Sequence, residues 1–285
     1  MLRTLARTTL VPLFFAGLFL PIAQGQIEVT IRAKYDRYLQ YEPLDVVVSI
    51  RNELGGPILL GSEEGSAVLA FDVEEILGEP IPLADDKILK DSWQIASWKT
   101  ETRTFDLLQS YPIRKQGPHR IVARVTVGGV DFRSNRLMID ILPGMEIARA
   151  AGMTESGSRR SLSLRTLVRD RHDFVFLQIQ DEGEGRIYGT QNLGTILRYY
   201  KPQLRMSSDG TAHVLHQSAP TRYTHSVTTL DGRPVSTVFY SSTENTEVAL
   251  VEDRRGRLKV TGVKPYQGDP MVEPVRMPKP QPQDK

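Results

Sequence analysis

Cysteine is absent from the 285-residue sequence. Its absence excludes disulfides, cysteine nucleophiles, thiolate metal sites and iron–sulfur clusters. Neither sign of charge dominates, since 36 lysine and arginine residues face 34 aspartate and glutamate residues, which leaves a formal net charge of +2. So small a charge argues against electrostatic binding to nucleic acid, and we predict no nucleic-acid partner. The length corresponds to two domains at roughly 100–200 residues per domain.

Long hydrophobic runs are scarce, and the one that occurs lies at residues 9–23, after the basic Arg3 and Arg7. The run precedes Ala23-Gln24-Gly25, which fits the small-x-small rule for signal-peptide cleavage before Gln26. It is shorter than the roughly 20 residues needed to span a bilayer. We therefore predict a signal peptide over residues 1–25 and no transmembrane segment after cleavage. The alternative is an uncleaved N-terminal anchor.

Export without cysteine points to a bacterial compartment. Exported eukaryotic domains usually contain disulfides, because their environment permits them. A cysteine-free exported chain is more typical of a bacterial periplasm or extracellular space. Loss of Arg3 and Arg7 with the signal peptide would also leave 34 basic and 34 acidic residues, a formal net charge of zero.

Residues 26–143 read as a series of short strands. Polar and apolar residues alternate, as they do in half-buried strands, and Gly128-Gly129 is a hairpin signal. Seven strands separated by turn residues and without a helical period are typical of a β-sandwich. The predicted strands are residues 27–32, 44–50, 67–73, 102–108, 119–127, 130–133 and 137–142.

Two stretches resemble a known family. Tyr41-Glu42-Pro43-Leu44 leads into a β-branched strand that ends in Asn52, and residues 117–125 (GPHRIVARV) resemble a closing F strand. Together they are similar to bacterial secreted immunoglobulin-like domains, including macroglobulin-type modules, over residues 27–142. His119 stands where that family usually has tyrosine. The resemblance implies an immunoglobulin-like sandwich, a fold that serves many functions.

The second half is predicted to be β-rich as well. Residues 144–160 read as a linker with helical turns at 145–151, and residues 161–267 read as an antiparallel meander with hairpin turns at 207–210 and 231–232. Among its predicted strands are residues 196–200. Five prolines in residues 268–285 predict a disordered tail. The fold class is thus all-β, with an N-terminal immunoglobulin-like β-sandwich followed by a second antiparallel β-rich domain.

No motif in the sequence marks catalysis. There is no GxSxG, SxxK or HExxH pattern. On a strand, His213 and His216 would point to opposite faces, whereas His213 and His225 would meet across the connection at residues 217–222. No third ligand is evident, so we predict no metal, no cofactor and no catalytic residue.

Cations and aromatics alternate in two places that we predict to form a binding surface. Such surfaces stack on sugars and contact charged polymers. The alternative is a strand with inward aromatics and outward charges. Our prediction is a non-catalytic binding or scaffolding protein of the bacterial envelope, with an envelope protein or a cell-wall or envelope glycan as partner. The other hypotheses are an envelope hydrolase or carbohydrate-active accessory protein with a site in residues 161–267, and a protease-inhibitor-like module. The predicted binding residues are Arg198, Tyr199, Tyr200, Lys201, Arg222 and Tyr223.

Overall fold

The structure is a computed structural model, and it describes most of the chain between residues 27 and 268. The predicted signal peptide lies outside the described residues, as does the predicted tail after Gly268. The described ranges are residues 27–61, 66–75, 77–78, 80–84, 88–154, 156–183, 185–243 and 246–268.

The N-terminal unit, residues 27–142, is built from eleven strands and one short 3-10 helix at Leu107–Gln109. One sheet has the order β1-β3-β8, and the other has the order β2-β11-β9-β5-β6 with β10 paired to β9. Strands β4 and β7 form a separate ribbon. The strands are β1 Ile27–Ala33, β2 Arg37–Leu39, β3 Asp45–Asn52, β4 Ile58–Leu60, β5 Val68–Glu75, β6 Pro80–Ile81, β7 Trp93–Ile95, β8 Thr100–Asp106, β9 Gly117–Val127, β10 Val130–Arg133 and β11 Leu137–Leu142.

Alternation along these strands builds the core of the N-terminal unit. In β9, Ile121, Ala123 and Val125 are buried while the residues between them are partly exposed. Strands β1 and β3 repeat this pattern and contribute to the same cluster. Each fully buried valine or isoleucine side chain stabilises the fold by about 1.5–3 kcal/mol through its removal from water.

The C-terminal unit, residues 145–268, has two larger sheets that share one hydrophobic cluster. Their orders are β12-β13-β14-β15 and β16-β17-β18-β19-β22, and the β20–β21 hairpin lies against the outer face of the second sheet. The strands are β12 Met145–Met153, β13 Arg159–Arg169, β14 His172–Asp181, β15 Ile187–Thr195, β16 Gln203–Met206, β17 Thr211–Ala219, β18 Arg222–Thr229, β19 Pro234–Ser241, β20 Ala249–Glu252, β21 Leu258–Thr261 and β22 Lys264–Pro265.

The predicted all-β class is confirmed, since the described residues hold no α-helix and nearly all sheet pairs are antiparallel. The immunoglobulin-like detail stays a prediction.

Two local predictions were wrong. Residues 144–160 were expected to be a linker with helical turns, but they contain β12, which pairs with β13 along its length. Pairing with β13, and packing of the partly buried Ile147 and Ala148 against the core, outweigh the helix propensity of this alanine-rich stretch. A strand was also expected at residues 196–200, where the chain turns. The strand lies earlier, in β15, where Gly189 and Gly194 lower the β propensity.

The two units are joined directly. Only Pro143 and Gly144 separate β11 from β12. Gly144 has φ +65°, and a Cβ there would collide with the side chain of Leu39 and lie 3.0 Å from the carbonyl oxygen of Thr166. Glycine is therefore required at this joint, both for its backbone conformation and for the close approach.

A buried ion pair fixes the two units together. The guanidinium of Arg169, on β13, donates to both carboxylate oxygens of Glu42, one at 2.8 Å, and the side chain of Arg169 is fully buried. It lies over the rings of Tyr35 and Phe176 at 4.7 and 4.9 Å from their centroids. Such a cage of carboxylate and aromatic faces compensates a guanidinium for its lost hydration.

Candidate functional site

A slot separates strand β15 from the N-terminal unit. Strand β15 is the last strand of its sheet, so one of its edges has no neighbouring strand among the described residues. The slot encloses about 340 Å³ and opens into a wider lobe of about 690 Å³. Tyr41, Leu108 and Gln109 form one wall of both parts, and Tyr188 and Gly189 of β15 form the other.

Register shows that the slot lies along the edge of the sheet rather than on one face. Gln191 pairs with Leu177, and Thr190 pairs with Gln178, so the two pairs point to opposite faces. Leu177, Thr190 and Gln191 all line the slot. The backbone of β15 therefore runs through the middle of the slot wall. Alternate residues of the stretch 189–192 direct their N–H and C=O groups outward, and a β-bulge at Tyr188 interrupts this alternation.

The opposite wall is held by a capped turn. Asp106 accepts hydrogen bonds from the N–H groups of Leu44 at 2.9 Å and Leu108 at 3.2 Å. This fixes the 3-10 helix that carries Leu108 and Gln109 into the slot. Tyr41 stands in the left-handed region at φ +65°, a conformation that non-glycine residues rarely adopt.

Two hydrogen bonds join the walls. The carbonyl oxygen of Gln40 accepts from Thr190 Oγ1 at 2.8 Å and from Gln178 Nε2 at 3.3 Å. The loop that carries Tyr41 is thereby fastened to β14 and β15. The slot is consequently a preformed feature with fixed width at this end, of the kind that binds a ligand without first being reshaped.

Three of the six predicted binding residues lie together. Tyr200, Lys201 and Tyr223 line one small cavity beside the second sheet, and the tyrosine rings are 6.4 Å apart at an angle of 46°. Tyr223 is 7% exposed and Tyr200 is 57% exposed.

The other three predicted residues lie outside this cavity. Arg198 donates to Asp173 at 2.8 Å and to Thr166 at 3.2 Å. Arg222 is buried, and its guanidinium lies 5.7 Å from the ring centroid of Tyr266. Tyr199 points to solvent, 65% exposed. Arg198 is thus held in a partly exposed ion pair, whereas Arg222 packs inside the unit.

The histidines follow the predicted geometry. His213 Nδ1 and His225 Nε2 are 3.0 Å apart, on the sheet face that the β20–β21 hairpin covers. Thr211 Oγ1 lies 3.0 Å from His213 Nε2 and donates a hydrogen bond to Asp209 at 2.6 Å. The side chains of Asp209, Thr211, His213 and His225 therefore form one continuous chain of polar contacts. Burial, and to a smaller extent the neighbouring His213, lowers the pKa of His225 to about 4. Within the described ranges, no three metal-binding side chains converge.

His216 occupies the opposite face of β17, inside the sheet-to-sheet core. Its side chain is fully enclosed, and this burial lowers its pKa to about 4, against a smaller opposing effect of the Thr195 backbone. His216 is only 2% exposed, and it borders the small cavity that Tyr200 and Tyr223 line.

In the part of the chain that the structure describes, no helix is long and apolar enough to cross a membrane.

Comparisons with known proteins find only weak structural matches. No protein-family model matches the chain, and no curated protein matches it. One solved structure, a β-glucosidase from Listeria innocua in complex with glucose, matches 41% of this chain and 16% of its own length, at 16% identity and a TM-score of 0.26. A DUF4784 family protein from Bacteroides caccae matches 82% of this chain and 84% of its own, at 8% identity and a TM-score of 0.21. Likenesses this weak carry no argument about the chain.

Sequence reasoning missed the slot. Its walls come from Tyr41 and Tyr188, in different halves of the chain, and β15 was not predicted as a strand. Two sequence features mark the residues of the slot walls. Pro43 restricts the backbone of the residue before it in Tyr41-Glu42-Pro43, and an aromatic residue is followed by glycine at Tyr188-Gly189.

Proposed function

We propose that this is an exported, non-catalytic binding protein of the bacterial envelope that holds an extended segment of a partner protein in the slot. The partner segment adds to β15 as a further strand. The observation that supports this most directly is the open edge of β15 running along a preformed slot. Main-chain hydrogen bonds supply affinity in this mode of recognition, so no conspicuous sequence motif is needed.

The dimensions suit a short strand. Residues 189–192 of β15, the regularly paired run between its two irregularities, extend for roughly 14 Å at about 3.4 Å per residue, enough for a peptide of four residues. Successive side chains of such a peptide point to opposite sides. One set would face Leu108 and Tyr41, and the other would lie on the side of the sheet that carries Leu177 and Ile179.

A glycine in the slot wall allows a direct test. A Cβ at Gly189 would meet nothing within 4 Å, so a larger side chain can start there and extend into the slot that Gly189 lines. In the chain of residues 26–285, we expect Gly189→Leu to raise the Kd for a peptide selected from a random eight-residue library by about tenfold or more, equivalent to about 1.4 kcal/mol. Fluorescence anisotropy measures it.

The matched control is Gly55→Leu, where a Cβ also meets open space, in a turn of the N-terminal unit. It should leave the Kd unchanged. N-methylation of the selected peptide, one residue at a time, should weaken binding at alternate residues, because each outward amide loses a hydrogen bond worth about 1 kcal/mol. A peptide that binds Gly189→Leu as tightly, or tolerates methylation everywhere, would refute strand addition.

Export is testable separately. We expect the purified periplasmic or secreted protein to begin at Gln26, as measured by mass spectrometry of the intact chain. Gly25→Tyr should block processing, because the last residue before the cut must be small. Gln24→Tyr, at the tolerant middle position, should be processed normally. Recovery of the unprocessed chain from the wild type in the membrane fraction would favour the uncleaved anchor.

A further inference from the structure

A second cavity, of about 200 Å³, lies beside the sheet β16-β17-β18-β19 and shares no lining residue with the slot. The turn after β15 supplies Tyr200 and Lys201, the sheet supplies Gln217 and Tyr223, and the segment before β20 supplies Glu247. Its polar side chains have no part in strand addition. They are the residues that the proposed function leaves unused.

The side-chain amide of Gln217 has an oxygen without a hydrogen-bond partner among the described residues. The residue lines the cavity, is 3% exposed, and donates from Nε2 to the carbonyl oxygen of Pro220 at 2.8 Å. This bond fixes which way the amide faces. Its Oε1 is buried and finds no hydrogen-bond partner among the described residues. A buried acceptor without a donor is costly. Because Oε1 has almost no accessible surface, a ligand hydroxyl reaches it only when the Gln217 amide shifts towards the cavity.

The aromatic pair supplies an apolar surface next to this acceptor. Tyr200 and Tyr223 lie with ring centroids 6.4 Å apart, and Tyr223 is nearly buried whereas Tyr200 stands at the mouth. Tyrosine presents an apolar face and a polar tip, so such a pair contacts the carbon–hydrogen face of a ring while its hydroxyls reach the ring's substituents.

Charges of both signs flank the opening. Lys201 is a donor, and Glu247 is an acceptor. A wall with one aromatic pair, one neutral acceptor, one cation and one anion matches a ligand whose groups both donate and accept. A polyhydroxylated ring has this chemistry. The volume is below the roughly 300–1,000 Å³ typical of sites for drug-sized ligands, so it accommodates a single ring.

We propose that this cavity binds one sugar residue, at the end of a glycan chain or as a free monosaccharide. The ring stacks on Tyr200 and Tyr223, a hydroxyl donates to Gln217 Oε1, and Lys201 and Glu247 bond the hydroxyls at the mouth. The site is independent of the peptide slot, so each can fail without the other.

The test is saturation-transfer NMR and calorimetry on the chain of residues 26–285. The probes are glucose, galactose, N-acetylglucosamine and glucuronate, each also as an oligosaccharide that ends in it. We expect at least one monosaccharide to bind saturably. Tyr200→Ala should weaken that binding by about tenfold through lost stacking, and Gln217→Leu by about tenfold through the lost acceptor.

Tyr199→Ala is the matched control, because Tyr199 is an equally exposed neighbour that does not line the cavity. It should leave sugar binding unchanged, as should Gly189→Leu. An oligosaccharide that binds as tightly as its terminal monosaccharide supports a site for one ring. Absence of saturable binding by every probe, or an equal loss in Tyr199→Ala and Tyr200→Ala, overturns the proposal. Tyr200 lies on an exposed turn, so its variant tests the site even if Gln217→Leu fails to fold.

Discussion

Arg169→Met is expected to lower the free energy of unfolding by about 3–5 kcal/mol, the cost of breaking a buried ion pair from one side. Glu42, 6% exposed, would keep its hydrogen bond from the Leu39 N–H at 2.9 Å but lose its only charged partner among the described residues. The aromatic cage of Tyr35 and Phe176 would also lose its cation. Urea unfolding followed by fluorescence measures the change.

Two further variants make this test specific. Arg149→Met breaks an exposed pair with Glu146 and should cost no more than about 1 kcal/mol. Adding Glu42→Gln to Arg169→Met removes the stranded charge, so the double variant should be more stable than the sum of the single costs implies. Additive costs in that cycle would contradict a coupled pair.

Acid is expected to destabilise the fold well above the pH range where carboxylates titrate. The pKa of His216 is held at about 4 by burial, against an ordinary value of 6.5. The unfolded chain therefore binds a proton in this window that the folded chain excludes, and stability falls as pH drops through 6.5 towards 4. Linkage puts the loss from His216 alone at about 2 kcal/mol at pH 5. His225 acts in the same direction.

Substitution of His216 tests whether this residue causes the pH dependence of the unfolding free energy. His216→Leu should flatten the dependence of unfolding free energy on pH between 7 and 5, leaving the share of His225 and His213. Chemical denaturation at half-unit pH intervals gives the comparison. An unaltered slope in His216→Leu would show that His216 is protonated equally well in both states.

Seven of the eleven strands of the N-terminal unit were predicted, and the clearest of them have one buried face. Alternation in β1 and β9 places their boundaries within about two residues of the predicted ones. β12 was missed because alanine and glycine in it carry little periodic signal, and its structure comes from pairing with β13. β15 was missed for a similar reason, since Gly189 and Gly194 interrupt its pattern.

The candidate sites were likewise predictable only where the local sequence places their residues. Local spacing identified Tyr200, Lys201 and Tyr223, which the β16–β18 region brings together. Spacing alone could not show that Arg198 is taken by Asp173 or that Arg222 is packed against Tyr266, because those partners are fixed by the tertiary fold. The slot was beyond prediction, since it exists only when a contact spanning 127 residues, Arg169 to Glu42, docks the two units.

The two-residue joint at Pro143 and Gly144 has a mechanical consequence. A flexible tether between domains absorbs tension by straightening, because its slack is entropic. Here β11 passes almost directly into β12, and the Arg169–Glu42 pair fastens the units beside the joint. A pulling force on one unit is therefore transmitted directly to the other. Hydrogen-bonded strands, and not a flexible linker, resist that force.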